Sequence, residues 1–255
     1  MEIFAHADTW VALLTLTFLE IILGIDNVIF ISISANKLPE NQVRKATILG
    51  LALAMITRIL LLFSVSYLIA LKDPFWSANL SWFKTAITGQ SIILFFGGIF
   101  LLYKSTKEIR QKVENTNQEE VLKSPKIISF KSVIIQIILI DIVFSFDSIL
   151  TAVGMTNGVE GALTIMVIAV IVSILIMMIF AQPINNFVNR NPTIQMLALS
   201  FLILIGFMLI AESAHLSNTI IFNKTVGIIP KGYLYFAIAF SLGVEMLNLR
   251  IRKKK

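Results

Sequence analysis

The chain has 255 residues, 57% of them hydrophobic and 14% charged, with a mean hydropathy of +0.87. A typical soluble domain carries about 25% charged residues, so this composition excludes an ordinary soluble enzyme, a disordered chain and a nucleic-acid-binding domain. The net charge of +6 reads as basic loops gathered on one side of a membrane. Cysteine is absent, which removes disulfides, thiolate nucleophiles and Cys-based metal sites. Two isolated histidines, His6 and His215, do not make a zinc site.

A bilayer core of about 30 Å needs roughly 20 apolar residues in a helix. Seven stretches meet that need: Trp10–Ser34, Thr47–Leu71, Ala86–Tyr103, Phe130–Val153, Gly161–Ala181, Ile194–Ala211 and Gly232–Leu249. The fold expected is therefore all-α, one polytopic membrane domain of seven helices. Pro39, Pro74, Pro183, Pro192 and Pro230 fall between the spans, and Asn191-Pro192 reads as the N-cap and first residue of the sixth. The first span is too long for a cleaved signal peptide, and its flank holds Glu2 and Asp8 but no Lys or Arg.

With the N-terminus outside, the inner segments hold 16 of the 21 Lys and Arg residues. The outer ones hold four, Lys72, Lys84, Lys224 and Lys231, and Arg58 lies inside the second span. The positive-inside rule then puts the N-terminus outside and the C-terminus in the cytoplasm. The long mixed-charge stretch 104–129 reads as a mobile cytoplasmic linker. Trp10, Trp76 and Trp82 sit near outer span ends, as interface anchors do.

Two stretches repeat at an offset of 121 residues: Leu19-Glu-Ile-Ile-Leu-Gly-Ile-Asp-Asn-Val-Ile29 and Ile140-Asp-Ile-Val-Phe-Ser-Phe-Asp-Ser-Ile-Leu150. Each reads acid, three apolar residues, a small residue, an apolar residue, acid, then a small amide or hydroxyl. Three spans separate the copies, so the second runs inverted. This predicts a 3+3 inverted repeat, about 10–103 and 130–212, with a final helix at about 232–249. Gly98 to Ser105 and Gly206 to Ser213 echo each other in spans three and six.

Six of the fifteen acids lie in or at the edge of spans: Glu20, Asp26, Asp141, Asp147, Glu212 and Glu245. Each unpaired charge at the bilayer centre costs about 2.5–3.5 kcal/mol, so four would cost on the order of 10 kcal/mol. Protons, a wet cavity or a bound cation must compensate, and Arg58 offsets only one. Asn27 and Ser148 lie two turns after Glu20 and Asp141 on the same faces. Asp26, six residues after Glu20, is turned by about 120° in a regular helix. Unwinding at Gly24 and Ser145 would turn both acids of each copy into one cavity and free backbone carbonyls as ligands. The inverted arrangement predicts Glu20 level with Asp147 and Asp26 level with Asp141, about 9 Å apart in depth. Carboxylate, amide and hydroxyl oxygens suit hard divalent ions such as Mn²⁺, Ca²⁺ or Mg²⁺. Glu245 and Asn248 share a face of the last span and are candidates for an ion or proton relay.

These two acidic stretches resemble the signature motifs of the TerC family of integral membrane proteins, and the likeness runs over nearly the whole chain. The stretches from Pro192 and Pro230 look like its compact single-domain bacterial branch. The resemblance implies ion binding by Glu20, Asp26, Asn27, Asp141, Asp147 and Ser148, and export of a divalent metal, Mn²⁺ first, by proton antiport or the membrane potential. Its partners would be the lipid bilayer, the metal ion and protons, with room for a homo-oligomer and no cofactor beyond the transported ion. It also places the fold near the lysine-exporter superfamily, so export of another small solute is the alternative. A membrane-assembly partner without transport is a third reading. An intramembrane aspartyl protease fits poorly, because Asp26 follows Ile25 and Asp147 follows Phe146, without that family's Tyr-Asp and Gly-x-Gly-Asp motifs.

Overall fold

The computed structural model describes residues 7–116 apart from 65, 66, 68 and 70, and residues 129–252 apart from 157, 158 and 160. For residues 23, 25, 26, 115, 116, 147 and 252 it describes the backbone alone. Seven long helices run through these residues: α1 Ala7–Ala35, α2 Glu40–Phe63, α3 Gly89–Thr116, α4 Phe130–Met155, α5 Ala162–Arg190, α6 Pro192–Leu216 and α7 Lys231–Arg252. Six of them are long and apolar enough to cross a membrane, all but α3.

The chain divides into two compact units, Met1–Tyr67 with Pro125–Arg190, and Leu68–Ser124 with Asn191–Lys255. Each unit draws on both halves of the sequence. In the first, α1 packs on α5 and α2 on α4; in the second, α3 packs on α6, which also carries α7. Exchanging α1 with α4, α2 with α5 and α3 with α6 maps these three principal pairings onto themselves, as a 3+3 repeat would.

The pairings have directions. A Cβ on Gly24 would strike Met177, Ser32 bonds Asn185, and Asn36 bonds Asn189. The offset is constant, so α1 and α5 run parallel. The parallel pair α2/α4 brings Gly50 against Ile137 and, two turns on, Arg58 against Asp141. The apolar centre of α3 is short because Gln90 and Ser91 precede it and Lys104 follows.

Several expectations are corrected. Residues 104–116 are not linker: α3 continues through them, held by the i,i+4 ion pairs Lys104–Glu108 (3.0 Å) and Arg110–Glu114 (2.6 Å) and by Lys112 bonding Gln195 of α6. The second helix starts at Glu40 and ends at Phe63, not Leu71. Pro183 lies inside α5 rather than in a loop. Helices in membranes tolerate such a proline, and here Asn185 and Asn189 beyond it hold the helix against α1. Pro192 does open α6, but Asn191 makes no side-chain cap.

The second unit also carries a small antiparallel sheet that the all-α expectation lacked: β1 Pro74–Asn79, β2 Phe83–Thr88, β3 Ile220–Ile221 and β4 Lys224–Thr225, paired in that order. Its last hairpin turns on Phe222 and Asn223, both at positive φ (48° and 62°), the pattern of a type I′ turn. Strand β2 runs straight into α3, where Thr88 and Ser91 exchange backbone-to-side-chain bonds of 3.1 Å as a reciprocal cap.

Candidate cation site

The site in the first unit is built from α1, α2 and α4. Each contributes one buried charge: Glu20, Arg58 and Asp141 are 3%, 2% and 3% exposed. Arg58 projects from the middle of α2, and its fork bridges both acids. Nη1 bonds Glu20 Oε2, while Nη2 and Nε each lie 3.2 Å from Asp141 Oδ1. A planar guanidinium presents a rigid fork of donors that reaches two carboxylates at once. Buried charges of this kind persist only when paired and hydrogen-bonded.

The second oxygen of Asp141 is also held. Thr57 Oγ1 and Ser145 Oγ each lie 3.2 Å from Oδ2. Ser148 Oγ, one turn on, donates to the Ser145 carbonyl at 3.2 Å. The Asn27 amide reaches across from α1, with Nδ2 3.5 Å from Asp141 Oδ1. Its oxygen Oδ1 is buried and has no partner among the described residues. An orphaned buried acceptor is unusual and marks a place for a donor or a cation.

Sequence reasoning placed Glu20 and Asp141 at different depths; the structure puts both on one guanidinium, at one level. The helices are also unbroken through Gly24 and Ser145, so no backbone carbonyls are freed there. Both residues have other work. A Cβ at Gly24 would lie 2.3 Å from Met177 Sδ, so glycine allows α5 to approach α1. Ser145 spends its hydroxyl on Asp141. In a regular helix the backbone of Asp26 stands about 120° round from Glu20 and about 9 Å along. The side chains of Asp26 and Asp147 lie outside the described residues. Among the described residues no group of three or more His, Cys, Asp and Glu side chains is placed to hold a metal.

Glu245 and Asn248 belong to α7, in the second unit. Asn248 Nδ2 lies 3.4 Å from Glu245 Oε2, while Glu245 Oε1 is buried without a partner among the described residues. Thr57 is the site residue that sequence reasoning missed. Its one signal was a hydroxyl beside the sole intramembrane arginine.

The model of the integral membrane protein TerC family matches residues 5–255. The chain is similar to a UPF0053 protein of Haemophilus influenzae, 44% identical over 252 residues that cover 99% of this chain and 98% of the relative. It is 46% identical over 248 residues to the UPF0053 inner membrane protein YgdQ of Escherichia coli strain K12, covering 97% and 95%. It is 40% identical over 253 residues to the UPF0053 inner membrane protein YoaE of the same strain, of which it spans 45%. No solved structure matches the chain.

Proposed function

The chain belongs to the integral membrane protein TerC family, and from that premise we propose that it exports a divalent metal cation, Mn²⁺ first, through the Glu20–Arg58–Asp141 centre. It works in the bacterial inner membrane with its N-terminus outside and its C-terminus in the cytoplasm. The observation that carries this reading is the position of Arg58. With both acids ionised the three groups sum to one negative charge, and the guanidinium occupies the place between the carboxylates.

Arg58 acts as a tethered counter-ion. It keeps the acids compensated while no metal is bound, and it must give way when a divalent ion takes their oxygens. Asn27 Oδ1, the Ser148 hydroxyl and the Thr57 hydroxyl supply neutral hard oxygens, the donors that Mn²⁺, Ca²⁺ and Mg²⁺ accept. Asp26 and Asp147, six residues on from the central acids in each repeat, carry the remaining negative charge that a divalent ion needs. Because carboxylates bind metal only when deprotonated, an arriving ion displaces whatever protons the cluster holds. This couples metal exit to proton entry.

Equilibrium binding of Mn²⁺, Ca²⁺ and Mg²⁺ to purified protein tests the reading. It predicts saturable Mn²⁺ binding that is lost in Glu20→Gln/Asp141→Asn. Binding that survives in the double variant contradicts it.

A further inference from the structure

The first unit holds a cavity of about 240 Å³ between the start of α1 and the end of α4, lined by Asp8, Val11, Ala12, Thr15, Leu16, Met155 and Thr156. Asp8 and Thr15 of its lining are exposed. Its floor is Leu16, which is 2% exposed. Glu20 follows Leu16 by one helical turn, about 6 Å along the axis.

The opposite wall points to the same place. Thr156, which caps α4, and Ala152, Ser148, Ser145 and Asp141 within it succeed one another at spacings of four or three residues, which is one helical face, and all five are buried. Thr156 stands in the cavity and Asp141 at the central ion pair. The hydroxyls of Thr156, Ser148 and Ser145 bond to Ala152, Ser145 and Asp141 in turn, at 2.8, 3.2 and 3.2 Å.

We infer that this cavity is the vestibule through which a hydrated divalent cation passes to or from the central site, with Asp8 as its outermost oxygen donor and Leu16 as an apolar seal. The inference rests on the exporter reading for the identity of the ion. Size agrees: a divalent ion with six waters occupies roughly 200 Å³ at about 30 Å³ per water. Charge agrees, because the charged residue among the lining is a carboxylate, and Thr15 and Thr156 add hydroxyls beside the apolar Val11, Ala12, Leu16 and Met155. An apolar side chain between a wet vestibule and a charged site gates by excluding water. Rotation of Leu16 away from the path, or a small shift of α1 against α4, would join the two.

The chain lacks cysteine, so single-cysteine variants report access cleanly. Thr15→Cys and Ser148→Cys are treated in membrane vesicles with an impermeant maleimide applied from the side on which α1 begins. Thr15→Cys should label readily and be protected by Mn²⁺, and Asp8→Asn should remove that protection. Ser148→Cys should label slowly, then about tenfold faster when Leu16→Ala is added, as a local opening becomes easier. If Leu16→Ala does not reach the membrane, Leu16→Thr, closer in volume, carries the same expectation. A Ser148→Cys rate independent of residue 16, or a Thr15→Cys rate unaffected by Mn²⁺, overturns the vestibule. Labelling reads access without transport, so an ungated site in a protein that still moves Mn²⁺ rejects the vestibule alone. Gated, Mn²⁺-protected labelling without Mn²⁺ flux rejects the exporter reading alone.

Discussion

Nη2 of Arg58 stands 3.2 Å from Oδ1 of Asp141, with both side chains 3–4% exposed. The same guanidinium also bonds Glu20 on α1, so one residue of α2 joins the two sequence repeats at their equivalent acids. An arginine at the meeting point of two inverted copies is the economical answer to two buried carboxylates in lipid. On the exporter reading it is also a cation in the place proposed for the metal.

Arg58→Gln should therefore be costly. Removing one partner of a buried ion cluster costs about 3–5 kcal/mol, because the remaining charges are left uncompensated. The variant should unfold at lower temperature in detergent, and Mn²⁺ should raise its Tm more than that of the wild type. Glu20→Gln/Arg58→Gln should lose less than the two single changes added, since the groups share one network. Equal stability of Arg58→Gln and wild type would contradict the compensating role.

Proton release is the second expectation. If metal and protons compete for the same carboxylates, Mn²⁺ binding should liberate protons, and affinity should fall as the pH is lowered. Calorimetry in buffers of different ionisation enthalpy measures the number released. Binding without proton release across neutral and mildly acidic pH would exclude antiport through this cluster.

Packing between α3 and α6 gives a prediction independent of transport. A Cβ added at Gly98 would lie 2.7 Å from the Gly206 carbonyl oxygen, and one at Gly206 would lie 3.0 Å from the Gly98 carbonyl. Backbone cannot swing aside, so Gly98→Ala must push the helices apart, at about 1–3 kcal/mol. Gly24→Ala meets only the end of Met177, a flexible side chain, and should cost less. Thermal unfolding of the two variants in one detergent tests the order; a milder Gly98→Ala contradicts it.

Orientation is tested with reporters. Fusions after Lys255 and within 115–118 should read cytoplasmic, and one at Asn157 external. An opposite sign at any of the three would overturn the seven-crossing path, including the passage of α3.

Much of this molecule is legible in its sequence, and the failures have physical causes. Hydropathy locates the helices because lipid demands long apolar stretches, and the first acid of each repeat, Glu20 and Asp141, stands at the Arg58 ion pair because charge in lipid must be compensated. Hydropathy is silent on the sheet: Phe75, Trp76 and Ile87 are as apolar as a helix, and pairing with residues near 220 is a long-range fact. The charged half of α3 looks like linker until its i,i+4 pairs and its contact with Gln195 are seen. Gly24 invites unwinding in one dimension, but its reason is Met177, which lies 153 residues away. The shared level of Glu20 and Asp141 needed the reach of Arg58, which no spacing within one helix reveals.

On the exporter reading, the paired acidic repeats carry a divalent metal. The direct measurement is ion uptake into proteoliposomes containing the purified protein, comparing Mn²⁺, Ca²⁺ and Mg²⁺, for the wild type and for Asp26→Asn/Asp147→Asn. The account predicts Mn²⁺ flux driven by a proton gradient in the wild type and none in the double variant, because a neutral amide replaces each charged ligand. Undiminished Mn²⁺ flux in Asp26→Asn/Asp147→Asn, or no flux of any of the three ions in the wild type, would contradict it.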